Sequence, residues 1–506
     1  MSFMISARLW RDGEMKPYEL CQSAILLLSF LRTRYRGRRS GDGMYRTCGI
    51  CKDPSGAHIK EDINMKRPVT AAIAGLGNRG NDIYAHYQLV APEEMKVVAV
   101  ADPVAGKREA AREEYGVAPE NCFETVEDLL KQPKLADILV IATQDKQHVA
   151  QAVEAIKKGY HILCEKPISP SLEECLLLQK TAHEYGRMVA VGHVLRYTPF
   201  YSKIKEVIES GQIGDVVSVQ GLENVKYWHQ AHSFVRGNWR DSVETSPMIL
   251  AKCCHDMDIF VWLLGKKCER VSSYGSTYLF KESMAPEGCA KRCLDGCEVK
   301  ENCPYDAEKI YITDKGTGIR NVVERNLTGD DAWPCCVLSQ TLTEEAIYDQ
   351  IKTGPYGRCV YHCDNNVVDH QVVNMEFEGG VTVNFTMSAF TSGGGRDIKV
   401  MGTMGDIIGD LHTGIVKVTN FGKETEVYDI NATAGDLSGH AGGDNRLIHD
   451  FLAAVEEGET KGQLRTGVDV SIQSHIIALA AEYSRVHEGE SVALDEFIRS
   501  ERYKEL

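Results

Sequence analysis

Val69-Thr70-Ala71-Ala72-Ile73-Ala74-Gly75-Leu76-Gly77-Asn78-Arg79-Gly80 runs from an apolar strand through a glycine turn into the start of a helix. Each glycine answers a different steric demand. Gly75 permits the tight turn, Gly77 lets backbone approach a pyrophosphate, and Gly80 lets helix and strand pack closely, leaving helical N–H groups free for phosphate. Asn78 and Arg79 ride on the same turn and join the candidate cofactor contacts. Asp102 closes the next strand 22 residues after Gly80, where a carboxylate can hold ribose hydroxyls and repel a 2'-phosphate. The set specifies a dinucleotide site and favours NAD over NADP, with Arg79 the one residue that could meet the extra phosphate.

Outward from this stretch, strand and helix alternate. Strands are expected at Lys96 to Ala101, Asp137 to Ala142, Tyr160 to Cys164 and Met188 to Gly192, with helices at Ala105 to Tyr115, Ala150 to Lys158 and Leu172 to Tyr185. Alternation in units of this size specifies a parallel sheet covered on both faces, an α/β Rossmann domain over 65–192. Beyond it the strand-like runs Val216 to Leu222, Val271 to Leu279, Gln371 to Phe377, Val381 to Ser388, Asp397 to Met401 and Gly414 to Thr419 have few helices between them. They predict an α+β domain over 193–506 with a large, mostly antiparallel, open-faced sheet. Helices over 248–264, 444–457 and 468–487 are expected to cover one face. Residues 1–64 carry eleven Lys or Arg against seven Asp or Glu, unlike the acidic remainder. They read as an extension outside the fold or a start-site error, with Met65 the expected start and Cys48 and Cys51 an incomplete metal pair.

The crevice of such a sheet lies at the strand C-termini. Thr143 and His148 follow one strand end as candidate cofactor contacts, and Glu165-Lys166-Pro167 follows the next. An amine beside a positively charged nicotinamide has its charged form disfavoured, which suits Lys166 to proton transfer.

The 506 residues are 43% hydrophobic and 25% charged, an ordinary globular composition for two domains with additions. A net charge of -15 argues against nucleic acid or an anionic membrane as partner, because phosphate binding is driven by Lys and Arg. Seventeen cysteines without a convincing secretory signal favour reduced thiols and a cytoplasmic setting. Eight of them fall in an insertion at about 281–365. Cys293, Cys297, Cys303 and Cys363 could supply a structural zinc site there, with Cys289 a rival ligand. An iron-sulfur cluster and unligated thiols are the other readings.

Together Gly75 to Gly80, Asp102, Glu165-Lys166-Pro167, Gly192-His193, and a helix with His255 and Asp258 ahead of Trp262-Leu263-Leu264-Gly265 resemble the Gfo/Idh/MocA family. The resemblance covers about 66–497. It implies NAD(P)-dependent oxidation or reduction of sugars, cyclitols and related polyols, and a homo-oligomer formed through the C-terminal sheet. Many members place an aspartate four residues before the helix histidine, where this chain has Ala251 followed by Lys252. That leaves Lys166 and His255 as catalytic candidates, and imidazole can shuttle the proton that accompanies hydride loss from a carbinol.

The stretch from Tyr227 to Arg240 is dense in rings and hydrogen-bonding groups, as a polyol pocket needs. His232, Arg236, Trp239 and Arg240 are its candidate substrate contacts, joined by His193, Arg196, Tyr197 and His255. Asp369-His370 and His440 are further options, and an interface or folded cover is the competing reading of the stretch. The expected activity is hydride transfer between nicotinamide and a carbinol. Two rivals are NAD-dependent cleavage of a glycoside through transient oxidation and elimination, and a non-catalytic dinucleotide sensor.

Overall fold

Strand β1 (Val69–Ala74) is walled in by β2 (Met95–Ala101) on one side and β4 (Ile138–Ile141) on the other, in a computed structural model that describes residues 67–458 and 464–506. The expected extension, Met65 and the Cys48–Cys51 pair lie outside the described residues. A strand buried on both faces reads as a continuous apolar run, and β4 is buried along its whole length. With β3 (Cys122–Phe123), β5 (His161–Cys164) and β6 (Val189–Val191) these strands form one parallel sheet in the order β3-β2-β1-β4-β5-β6. That order is the one dinucleotide-binding sheets adopt.

Helices α1 (Ala105–Tyr115), α2 (Val126–Lys131), α3 (His148–Lys157) and α4 (Leu172–Tyr185) make the crossovers. Serine and threonine side chains define two of the starts: Ser171 and Thr125 each accept a backbone N–H from the first turn of α4 and α2. Strand β3 and α2 escape the pattern reading because two residues and one and a half turns carry too little periodicity.

After α5 (Pro199–Glu209) the chain builds a nine-stranded sheet from β7 (Val216–Lys226), β8 (Cys268–Ser276), β9 (His370–Phe377), β10 (Val381–Thr391), β11 (Gly395–Gly402), β12 (Gly405–Asp410), β13 (Ile415–Asn420), β14 (Thr425–Asp429) and β15 (Val492–Ala493). Its order is β14-β13-β12-β11-β7-β10-β9-β8-β15, antiparallel throughout except where β7 meets β10. Strand β10 shows why one face is covered. Val381, Val383, Phe385, Met387 and Ala389 are buried, while Thr382, Asn384, Thr386 and Ser388 alternate with them on a face that stays accessible. The buried row packs in the core that also takes in α6 (Cys254–Leu264) and α8 (Val468–Val486). The open face is polar, with Thr382 bonded to Ser218 at 3.0 Å and Asn384 to Asn374 at 2.8 Å.

The single helix expected over 248–264 is instead two, Met248–Ala251 and α6, interrupted at Lys252 and Cys253. At the break the carbonyl of Ala251 accepts a hydrogen bond from Lys166 Nζ at 3.2 Å. Helix α7 (Gly443–Glu457) returns from the second sheet to pack against β1. The insertion between β8 and β9 holds only short helices and has a core of its own around Ile310, Tyr311, Ile319, Ile347 and Ile351. Among the described residues no helix is long and apolar enough to cross a membrane.

Phe385 is completely buried and Thr386 beside it faces the open side. Phe385→Ala is expected to cost about 3–5 kcal/mol in denaturant unfolding, and Thr386→Ala no more than about 0.5 kcal/mol. Equal losses would contradict the one-sided core.

Candidate functional site

The strand order reverses between β1 and β4, so the ends of β1, β4 and β5 open onto one crevice. The glycines of the first turn behave differently from one another there. A Cβ on Gly80 would lie 1.8 Å from the Gly75 carbonyl oxygen, and one on Gly75, whose φ is +88°, would lie 2.5 Å from the Ala142 oxygen. A Cβ on Gly77 meets no protein atom within 4 Å, so that residue faces open space. Asp102 stands at the end of β2 with its carboxylate accepting from the N–H groups of Leu76 and Val104, both at 2.8 Å. Asn78 begins the wide-wound helix Asn78–Ala85, directly after Gly77.

Arg79 leaves this turn for a different partner set. Its Nε donates to Glu165 at 2.5 Å and its Nη2 to Asp444 at 2.8 Å and to the Tyr84 hydroxyl at 3.1 Å. Tyr84 in turn donates to Glu165 at 2.7 Å. Burial would raise the Glu165 carboxyl, but Arg79 and Lys166, with the Tyr84 bond, hold it down to about 2. Burial would likewise raise Asp444, but Arg79 and then His440 hold it far below the usual carboxylate range. The Nε and Nη2 of the guanidinium are thus held by Glu165, Asp444 and Tyr84, while Nη1 lies 3.4 Å from His440 Nδ1.

Glu165 accepts the backbone N–H of Lys166 at 2.8 Å. His148 Nδ1 lies 2.9 Å from the Pro167 oxygen, and His475 Nε2 accepts the Ile168 N–H at 2.8 Å. The segment carrying Lys166 is thus anchored on successive residues, and its half-buried amine is aimed at the turn ahead of α6. His255 lies in the first turn of α6, 5% exposed, with Nδ1 buried and unpartnered. Burial, then the charges of Lys166 and Arg396, push this imidazole well below its usual range, so it is held neutral. His193 meets it edge-on at 5.9 Å and His440 lies 6.2 Å from it on the outer side.

Several expected contacts have other work. Arg196 makes a buried two-pronged ion pair with Asp258 at 2.7 and 2.6 Å, and Tyr197 donates to Asp450 at 2.8 Å, so both brace the fold behind the crevice. His193 is completely buried and supports His255 from behind. His148 is 1% exposed, its ring nitrogens 2.9 and 3.2 Å from the carbonyl oxygens of Pro167 and Thr143, while the Thr143 hydroxyl donates to Gln151. His232 stacks on Tyr356 and bonds Tyr311, and Arg236 donates to the carbonyls of Arg358 and Tyr305, all within the insertion. Arg240 pairs with Asp364, and Trp239 lies at the surface beside Phe234. His232, Arg236 and Arg240 of the stretch 227–240 thus find partners in the insertion, while Asn238 donates to Gln144, just past β4, at 2.8 Å. Asp369 likewise caps the N–H groups of Tyr278 and Leu279, with His370 beside it. His440 is the option brought to the site.

Sequence reasoning missed Tyr84, Asp444 and His475, each joined to its partner only by tertiary structure. It also missed the buried cluster in which Arg396 pairs with Glu223 and Asp256 and Lys252 stands 3.6 Å from Glu223. His229 is another: the nearby Lys252, His232, Lys226 and Lys166 add to burial in pushing its imidazole far down, and Trp333 of the insertion meets it edge-on at 4.9 Å. The ring density around Trp228 was its only sequence signal. The four expected zinc cysteines do not converge. Among the described residues the group of ligand atoms lying within 4.8 Å of one another is Cys289, Cys359 and His362. Cys293 faces Arg236 and the Ala307 N–H, and Cys363 turns to the Cys359 carbonyl.

Comparison with known proteins matches residues 69–193 to the NAD-binding Rossmann fold of an oxidoreductase family, and residues 205–494 to the C-terminal alpha/beta domain of the same family. The Bacillus subtilis protein YteT, named as an oxidoreductase, is 25% identical over 352 residues, 67% of this chain and 77% of its own length. An inositol 2-dehydrogenase of Salmonella typhimurium is 29% identical over 207 residues, 40% of this chain and 57% of that enzyme. The crystal structure of an inositol dehydrogenase homolog from Azotobacter vinelandii, complexed with NAD+, superposes with a TM-score of 0.60 at 16% identity, covering 85% of this chain and 98% of that one. It shares the fold.

Gly80→Ala is expected to destabilise the protein by about 1–3 kcal/mol or more, because backbone must move. Gly77→Ala should leave the melting temperature unchanged yet weaken NAD at least about tenfold in calorimetry. A destabilised Gly77→Ala would contradict this division. Acid supplies a second check. Burial, with Arg236 beside His232 and the His193 ring beside His475, pushes these two imidazoles down to about 3. An unfolded histidine titrates near about 6.5, so the unfolded chain binds more protons between these values. Their contribution is complete above that upper value and is lost as pH falls below it. The melting temperature should therefore drop steadily from about pH 7 to about pH 5, and a flat profile would contradict the burial of neutral imidazoles.

Proposed function

This chain belongs to the Gfo/Idh/MocA oxidoreductase family, and we propose from that premise that it uses NAD to oxidise or reduce a carbinol of a sugar, cyclitol or sugar derivative. The observation that carries the reading is the convergence of Lys166 and His255. The lysine amine is bonded to the carbonyl of Ala251, one turn ahead of a buried, neutral imidazole whose Nδ1 has no partner.

The cofactor fits the residues present: open space beyond Gly77, and a carboxylate at the end of β2. Bound there, NAD supplies the hydride acceptor. Asp102 favours it over NADP by repelling a 2'-phosphate, and Arg79 does not offset that repulsion because Glu165 and Asp444 hold it. Lys166 donates a hydrogen bond to the carbinol oxygen and orients it. His255, neutral at physiological pH, takes the proton as the C–H bond breaks. His229 and Trp333 stand on the Lys166 side and offer a donor and a ring face to a polyol, in the role first assigned to His232 and Arg236. The accessible polar face of the large sheet is the surface for self-association.

Lys166→Ala and His255→Ala should each lower turnover by about 10²–10⁴-fold while NAD still binds. Since His255 must be neutral to accept a proton and is held well below its ordinary range, oxidation should fall on the acid side only below about pH 6.5, and His255→Asn should remove that limb. The substrate screen uses free sugars, cyclitols and glycosides, read by NADH absorbance and product mass. Unimpaired turnover in both alanine variants would sink the assignment. Glycoside cleavage without NADH accumulation would replace net oxidation by a redox-neutral elimination.

A further inference from the structure

The insertion leaves the large sheet after β8 and rejoins it at β9, and its two ends are paired with each other. Cys293 N–H donates to the Gly357 carbonyl and Cys359 N–H to the Lys291 carbonyl, with Arg292 opposite Arg358 in an isolated antiparallel bridge. This pairing sets Cys289, near the outgoing end, against Cys359 and His362, near the returning end. The Cys289 Sγ lies 3.4 Å from His362 Nε2, and the three ligand atoms all lie within 4.8 Å of one another. Ligands of one tetrahedral zinc are about 3.5–3.8 Å apart, given bonds of about 2.3 Å to sulfur and about 2.0 Å to nitrogen. The observed spacing needs little adjustment to meet that.

We infer that Cys289, Cys359 and His362 hold a thiophilic divalent cation of the zinc class, which staples the two ends of the insertion. Two thiols lose their protons on binding, and the two thiolates offset the charge of the cation, leaving a neutral centre with neutral imidazole. Neutrality suits the surroundings, for Cys289 and Cys359 pack among Phe280, Tyr305 and Tyr361. The other ring nitrogen of His362 faces Glu282 at 3.6 Å, the carboxylate contact that orients a metal-bound imidazole. Cys289 and His362 are only partly buried, which leaves a path for the ion and a fourth position for water. Cys359-x-x-His362 supplies two ligands from one turn, and Cys289 comes from 73 residues before His362, so one ion closes a long loop.

The test is metal content of the full chain, a readout independent of turnover. The purified protein should carry about one zinc per chain after dialysis, and replacement by cobalt should give a thiolate-to-cobalt charge-transfer band. Cys289→Ser and His362→Gln should each lose the band and most of the metal. Cys297→Ser should retain both. Because Cys359 is buried and replacing it puts the fold at risk, the partly exposed Cys289 and His362 carry the experiment. Four outcomes overturn the site: metal-free protein with both thiols titratable; a Cys289–Cys359 disulfide, seen as a mass two hydrogens lighter; metal retained in both ligand variants; or metal lost only with Cys293→Ser and Cys303→Ser.

Discussion

A guanidinium shared by two carboxylates and a phenol joins the parts of the molecule that must agree for a crevice to exist. Arg79 comes from the glycine turn, Glu165 from the end of β5, Tyr84 from the following helix and Asp444 from the start of α7, 365 residues away from Arg79. Glu165 and Asp444 have side chains only 7% and 3% exposed, so neither carboxylate has water to fall back on. Removing one member of such a cluster leaves an uncompensated buried charge, at a cost of about 3–5 kcal/mol. The cluster therefore couples the glycine turn, the strand end that carries Lys166 and the returning helix.

From that anchor the reactive segment is held residue by residue. Glu165 receives the Lys166 N–H, His148 reaches the Pro167 carbonyl, and His475 accepts the Ile168 N–H. The tautomer of His475 follows from the same contacts: Nε2 must be the acceptor for Ile168, so Nδ1 carries the hydrogen that points at the Ser471 carbonyl, 3.2 Å away. Backbone fixed at successive positions leaves the lysine side chain as the movable part. On the proposed mechanism, that arrangement suits a group that meets a substrate oxygen within hydrogen-bond reach.

What the sequence reveals follows the range of the interaction concerned. The glycine turn, the Asp102 strand end and the helices 105–115 and 172–185 are local patterns, and the structure reproduces them almost to the residue. Strands β14 and β15 were invisible because short strands at a sheet's edge lack a strong alternation, and β12 because Gly405 and Gly409 fill two of its three buried positions and leave no apolar pattern to read. The site divides in the same way. Lys166 and His255 each sit at a recognisable element end and the structure brings them near each other, whereas Arg196 and Tyr197 were assigned from their place beyond a strand end and His232 and Arg236 from the density of rings and hydrogen-bonding groups around them. Their true partners, Asp258, Asp450, Tyr311 and the Arg358 carbonyl, come from segments that no local pattern connects to them.

The departure at Ala251 has a physical consequence. With no carboxylate there, the Lys166 amine bonds the backbone carbonyl of that residue, a neutral acceptor. Lys252, the next residue, is turned toward Glu223, which also pairs with Arg396, and Arg396 is clamped by Asp256. The nearby carboxylates are thus consumed in ion pairs rather than presented to His255. Burial first, then the positive charge of Lys166 and Arg396, drives the imidazole toward neutrality. A carboxylate at position 251 would have favoured imidazolium. On the proposed mechanism, alanine there adds to burial in leaving the imidazole in the form a proton acceptor needs, with histidine as base and lysine as hydrogen-bond donor.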